Sequence, residues 1–138
     1  FTTGDGWPDI TVTRETGWDF LQETAVPLMM AIIKQHYPVG GTIIRAMAAK
    51  LLPGEVITPH RDAHPSFHNS HRIHIPIKTN NRVRFMIDGQ PHRLEVGKAY
   101  EINNQKTHSV MNKGEDERVN FIFDYVPPEL VVSQSSGV

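Results

Sequence analysis

The 138-residue chain has no cysteine, which excludes disulfides, thiolate zinc sites, iron–sulfur clusters and cysteine nucleophiles together. An excess of one charge is also lacking: 14 Lys+Arg stand against 15 Asp+Glu, a formal net charge of −1. That balance leaves no electrostatic footprint for nucleic acid or an anionic membrane, so neither is expected as a partner. Long hydrophobic runs are missing as well. The longest, Ala25 to Ile33, contains Pro27 and is about half the roughly 18 residues of a membrane span. No nucleophile elbow, phosphate loop or Ser-His-Asp order is present, which sets hydrolases last. The chain starts at Phe1 without Met or a charged-then-apolar leader, and reads as trimmed or incomplete. The absence of cysteine and of a leader permits a cytoplasmic home, which is the expectation here. What is present is 38% hydrophobic and 21% charged residues, globular values that fit one domain over 1–138. Histidine stands out, with eight in all and five between His60 and His74.

Residues 17–36 carry Trp18, Leu21, Val26, Met29, Met30 and Ile33, spaced mainly by three or four. This predicts a helical flank. Pro27 inside it favours two short helices or one kinked helix over a straight one. From 42 to 127 the chain reads as strands. Pro53-Gly54, Asn80-Asn81, Asp88-Gly89, Gly97 and Asn112-Lys113-Gly114 separate short alternating runs, the pattern of a sandwich or barrel of six to eight strands. Asp88-Gly89 predicts a tight hairpin between Val83–Ile87 and His92–Val96. The tail over 128–138 reads as weakly ordered.

The histidine cluster carries the chemistry. His60 and Asp62 are two residues apart, so on an extended strand both leave one face. An imidazole and a carboxylate so placed supply two thirds of a 2-His-1-carboxylate site, the type that holds non-haem Fe(II) with open positions. The best third ligand is His108, in the strand-like run Lys106–Met111. Arg118 follows ten residues later. A turn centred on Lys113 would set 108 opposite 118 on one sheet, with a guanidinium fork suited to a carboxylate beside the metal. Arg72 and His74 share another face, leaving Ile73, Ile75 and Ile77 for packing. His74 divides evenly between a site role and a satisfied lumen histidine. His64, His68 and His71 have helical zinc spacing, but Pro59 and Pro65 argue against a helix, so they read as a polar loop over the cavity mouth. Arg61, between the ligands, points to the other face.

Taken together, Pro53-Gly54, Pro59-His60-Arg61-Asp62, Arg72-Ile73-His74, His108 and Arg118 resemble the aspartyl/asparaginyl β-hydroxylase-like branch of the Fe(II)/2-oxoglutarate-dependent oxygenases, over about residues 42–130. One departure is informative. Hydroxylases of protein Asp and Asn typically carry Gly at the carboxylate position, whereas this chain has Asp62, as do the free-proline hydroxylases that it also resembles. The resemblance implies a mainly β fold, a double-stranded β-helix (jelly-roll, cupin-like barrel) with one or two N-terminal helices packed outside. It implies Fe(II) on His60, Asp62 and His108, and 2-oxoglutarate with its distal carboxylate on Arg118. Arg72 and His74 are implied to contact the iron-side carboxylate or the substrate, and dioxygen to be the oxidant. The implied reaction hydroxylates a C–H bond of an amino-acid, peptidyl or similar small substrate, with release of succinate and carbon dioxide. The alternatives are a cupin-like metal enzyme that does not use 2-oxoglutarate and a non-catalytic metal-binding jelly-roll module.

Overall fold

The N-terminal periodicity becomes a single helix. In the computed structural model, which describes residues 2–3, 7–130 and 133–136, α1 spans Thr16–His36 with Pro27 inside it. Its buried residues Ala25, Met29 and Ile33 are four apart, so they form one stripe along the helix. Lys34 and His36 in the last turn complement the negative end of the helix dipole. Tyr37 closes the helix through its N–H to the Ile33 carbonyl at 2.8 Å. Among the described residues no helix is long and apolar enough to cross a membrane.

The strands are β1 (Thr2–Thr3), β2 (Asp9–Thr13), β3 (Thr42–Leu51), β4 (Val56–His60), β5 (His71–Lys78), β6 (Val83–Ile87), β7 (Gln90–His92), β8 (Tyr100–Ile102), β9 (His108–Asn112), β10 (Arg118–Val126) and β11 (Ser133–Ser136). A one-turn helix, α2, occupies Pro65–His68. Two four-stranded sheets have the orders β3-β10-β5-β8 and β4-β9-β6-β7. Between β3 and β10 the chain passes from sheet to sheet, pausing only at the β6–β7 hairpin, which is the winding of a double-stranded β-helix. The fold is thus mainly β and cupin-like, with one main N-terminal helix. A third, small sheet has the order β1-β2-β11. Part of the predicted weakly ordered tail forms β11, parallel to β2. The rest of that tail, 131–132 and 137–138, lies outside the described residues.

The chain divides into two compact units. The first comprises Phe1–Met47, His64–His71 and Phe123–Val138. Its small core joins Ile44 and Val126, with Trp7 and Val12 packed on them. Here the Tyr125 hydroxyl donates to the Pro38 carbonyl at 2.5 Å and accepts from the Gly41 N–H at 2.9 Å. A Cβ on Gly41 would lie 2.0 Å from the Val126 carbonyl oxygen, so only glycine fits. Arg45 and Asp124 form a buried ion pair at 3.2 Å. The same guanidinium donates to the Ser66 hydroxyl at 2.6 Å and lies 4.1 Å from the Phe67 ring centroid, which anchors α2.

The second unit, Ala48–Ala63 with Arg72–Ile122, carries the histidine chemistry. Leu51 and Ile102 from one sheet meet Phe85 and Val110 from the other, with Ile87, Leu94 and Tyr100 around them. The predicted hairpin forms, but its second strand is Gln90–His92 rather than His92–Val96. Asp88 and Gly89 have φ of 51° and 76°, the paired positive values of a two-residue turn that follows strand twist. The expected pairing of 108 with 118 does not form. Strand β9 pairs with β4 and β6, and the Asn112–Glu117 segment carries the chain to the other sheet. Asn112 makes that crossing possible: its side-chain amide donates to the carbonyls of Leu51 at 3.0 Å and Asp116 at 2.8 Å, and its oxygen accepts from Gly114 N–H at 3.0 Å.

Asn112 is fully buried, so replacing it leaves several polar groups without partners. Asn112→Leu is expected to lower unfolding free energy by about 2–4 kcal/mol. Lys113→Ala, at an exposed neighbour, should stay within about 0.5 kcal/mol. Urea unfolding of both variants checks the contrast.

Candidate metal centre

The register of two strands creates the centre. In the antiparallel pair β4–β9, His60 stands directly opposite His108, after an irregularity between Ile57 and His60. The two rings lie 4.3 Å apart by centroid. His60 Nδ1 is 2.8 Å from the Thr58 carbonyl and His108 Nδ1 is 2.9 Å from the Lys106 carbonyl. A carbonyl oxygen only accepts, so each Nδ1 carries the proton and each Nε2 keeps its lone pair. Both lone pairs turn toward Asp62, with His60 Nε2 3.6 Å from Oδ1 and His108 Nε2 3.7 Å from Oδ2. These distances are too long for hydrogen bonds.

Asp62 lies beyond the end of β4, so strand alternation alone does not aim it. Its N–H donates to the Asn104 carbonyl at 3.1 Å and its carbonyl accepts from Gln105 Nε2 at 3.1 Å. That tie between loops holds the carboxylate between the two imidazoles. Arg72 Nη1 stands 3.8 Å from Asp62 Oδ2, yet Oδ2 is buried and accepts no hydrogen bond. Two imidazole lone pairs and an unsatisfied carboxylate oxygen, all three ligand atoms within 4.8 Å of one another, fit a divalent metal ion of the imidazole- and carboxylate-binding type. Among the described residues this is the one group of its kind. His64, His68 and His71 form no such group. His64 caps α2, which starts at Pro65: the proline read as a helix breaker sits at the first helical position, where its missing N–H costs nothing.

The cations are distributed differently from the expectation. Arg118 opens β10, in the other sheet from His108. It is only 4% exposed, and its Nε has no hydrogen-bond partner. Burial pulls its guanidinium below the ordinary value, though an arginine stays charged at any working pH. Glu117, its neighbour in the chain, pairs with Lys50 at 3.2 Å. His74 is buried, and its Nδ1 lies 3.2 Å from Asn120 Nδ2. Burial, then the positive charges of Arg72, Arg118 and His108, push its pKa down from 6.5 to about 3. His74 is therefore neutral, with Nδ1 accepting from the Asn120 amide. Of the three isoleucines assigned to packing, Ile73 and Ile75 are buried but Ile77 is 53% exposed, because β5 leaves the core before its end. Arg61 is exposed, its Nε donating to the Thr107 hydroxyl at 3.2 Å. Sequence reasoning missed Asn104, Gln105 and Asn120. Amides have no spacing signature, and only the folded loops reveal their partners.

The His74 shift has a consequence for stability. Between pH 6.5 and about 3 the unfolded chain binds a proton on this residue that the folded protein refuses. Folding stability from this group therefore rises with pH across that window and is lost as pH falls through it, by up to several kcal/mol. The metal-free protein should lose denaturant resistance between pH 7 and 4, and His74→Gln should show a smaller loss over the same interval. Equal losses in the two proteins would contradict the assignment.

Among solved structures the chain is similar to a non-heme monooxygenase, the ThoJ–Ni complex, at 15% identity and a TM-score of 0.58, covering 77% of this chain and 52% of that one. The chain spans about half the length of that protein. It is also similar to a cupin 2 conserved barrel domain protein from Salinispora arenicola (16% identity, TM-score 0.48, 69% of this chain and 72% of that one). A predicted oxalate decarboxylase from Thermotoga maritima resembles it at 15% identity and a TM-score of 0.48, over 61% of this chain and 67% of that one. At 15% identity the likeness to the monooxygenase is one of fold. No curated protein matches the chain. The sequence profile of aspartyl/asparaginyl β-hydroxylases matches residues 2–128, and with the sandwich and the His-Asp-His group in place, the chain belongs to the aspartyl/asparaginyl β-hydroxylase family.

Proposed function

We propose that the protein is an Fe(II)- and 2-oxoglutarate-dependent dioxygenase that hydroxylates a C–H bond of an amino-acid, peptidyl or similar small substrate, with succinate and carbon dioxide as co-products. The observation that carries the reading is Arg118, a buried guanidinium whose Nε makes no hydrogen bond and which has no carboxylate partner among the described residues, in the same unit as the His60–Asp62–His108 group. A charge taken out of water needs an opposite charge, and a dicarboxylate co-substrate supplies one. In this reading His60, Asp62 and His108 hold the metal, which when loaded supplies the oxidative chemistry with dioxygen. The Thr58 and Lys106 carbonyls keep both imidazoles in the ligating tautomer. Arg118 grips the distal carboxylate. Arg72 and neutral His74 face the metal-side carboxylate or the substrate, with the Nε2–H of His74 as a donor that does not titrate near neutral pH. The sandwich core of Leu51, Phe85, Ile102 and Val110 keeps these groups in one geometry. The family supports a hydroxylase, and Asp62 supports a complete three-residue ligand set. A cytoplasmic home and a small-molecule or peptidyl partner are part of the same proposal.

Anaerobic addition of Fe(II) and 2-oxoglutarate should produce a visible charge-transfer band, and Asp62→Ala or His108→Ala should abolish it. Arg118→Ala should retain bound metal and raise the KM for 2-oxoglutarate at least about 100-fold, the loss of a buried bidentate charge pair of about 3 kcal/mol. Folded, metal-loaded protein without the band, or an Arg118→Ala enzyme with unchanged turnover, favours a cupin-like metal enzyme of another kind.

A further inference from the structure

The β6–β7 hairpin gathers positive charge that the metal centre does not use. A pocket of about 220 Å³ is walled there by Arg84, His92 and Arg93, with the amides Asn80 and Asn81, and no acidic residue lines it. Glu95, two residues from Arg93, is engaged by Lys98 at 2.5 Å. Two exposed arginines on a hairpin are ordinarily a solvated surface. A second observation separates this case. Sharing Asn80, Phe85, His92 and Arg93 with the pocket is an inner cavity of about 20 Å³ lined by Arg118 and Asn120, enough space for a water molecule. Those two side chains are 4% and 1% exposed, and Arg118 Nε and Asn120 Oδ1 lack partners. A buried donor and a buried acceptor on residues that line one cavity call for a polar occupant, which a water molecule can supply. None of His60, Asp62, His108, Arg72 and His74 lines either space.

We infer that the hairpin pocket is a second anion site, taking a small oxyanion (a dicarboxylate or a phosphate) on the Arg84 and Arg93 guanidinium groups. Guanidinium forks match both chemistries bidentately. His92 and the Asn81 amide supply further donors, whereas the Asn80 amide already donates to Asn112 Oδ1 and the Asp116 carbonyl. The volume suits a metabolite of few heavy atoms rather than a drug-sized ligand. The site does not depend on the keto-acid reading of the metal centre, and its test uses no turnover.

Metal-free full-length protein is titrated calorimetrically with inorganic phosphate and, separately, succinate at fixed ionic strength, with chloride as control. Saturable binding is expected, and Arg84→Gln/Arg93→Gln should weaken it at least tenfold. Arg14→Gln/Lys34→Gln, the same loss of charge at exposed positions of the other unit, should change it less than twofold. The tighter of the two anions identifies the source. In the unmodified protein, phosphate should shift backbone amide resonances of residues 80–93, a readout that does not rely on the variants folding. Binding no stronger than the chloride control, equal affinity in the double variant, or shifts confined to the surroundings of His60 and His108 would each overturn the inference.

Discussion

The centre depends on the cross-strand register that sets His60 opposite His108. Neighbouring strands lie about 4.8 Å apart, so a directly opposed pair on one face brings two imidazoles within reach of one ion. The two Nδ1–carbonyl contacts then turn both rings so that their lone pairs converge. A one-residue slip would send one ring to the opposite face. Strand β9 is secured against that slip from its other side, by five consecutive register pairs with β6. The hairpin turn at Asp88-Gly89 in turn pins β6 against β7. A metal ligand thus takes its position from a glycine-containing turn many residues away in sequence.

Electrostatics forms the second layer. Arg72, Arg118 and the depressed pKa of His74 describe a region rich in positive charge, with the Asp62 carboxylate 3.8 Å from Arg72. A neutral histidine there is a consequence rather than a design choice: protonation would add a further cation to an already cationic, poorly hydrated place. A charge taken out of water is stabilised by an opposite charge, which supports the proposal of an anionic co-substrate here. The Arg45–Asp124 pair of the other unit offers the contrast. There the buried guanidinium has its carboxylate, its hydroxyl and its aromatic face, and nothing remains for a ligand.

The legible parts of this protein were those with a period or a spacing. The 3.6-residue repeat marked α1, although Pro27 argued for a break that the helix absorbs. Alternation and turn residues marked a jelly roll, and Asp88-Gly89 marked its hairpin. The His-x-Asp spacing marked the ligand pair, even though Asp62 is aimed by loop hydrogen bonds from Asn104 and Gln105 and not by strand alternation. The misreadings share a cause. The 108–118 pairing assumed that adjacent strands are hydrogen-bonded neighbours, whereas in a double-stranded β-helix consecutive strands alternate between sheets. Pro65 was taken as a helix breaker when it is a helix starter.

By itself, the order of residues determined which chemical groups exist, how they repeat and which turns can form, because these follow from local sterics and hydrophobic patterning. It thereby determined a cysteine-free β sandwich with a helical flank and a donor set suited to a divalent metal. Only the tertiary structure decided that His60 faces His108 across a ladder, that Arg118 comes from the opposite sheet without a counter-ion among the described residues, and that Asn112 and Asn120 are buried partners of distant groups. Those facts depend on strand order and burial, which arise from contacts between residues remote in the chain and leave no mark in any short stretch of it.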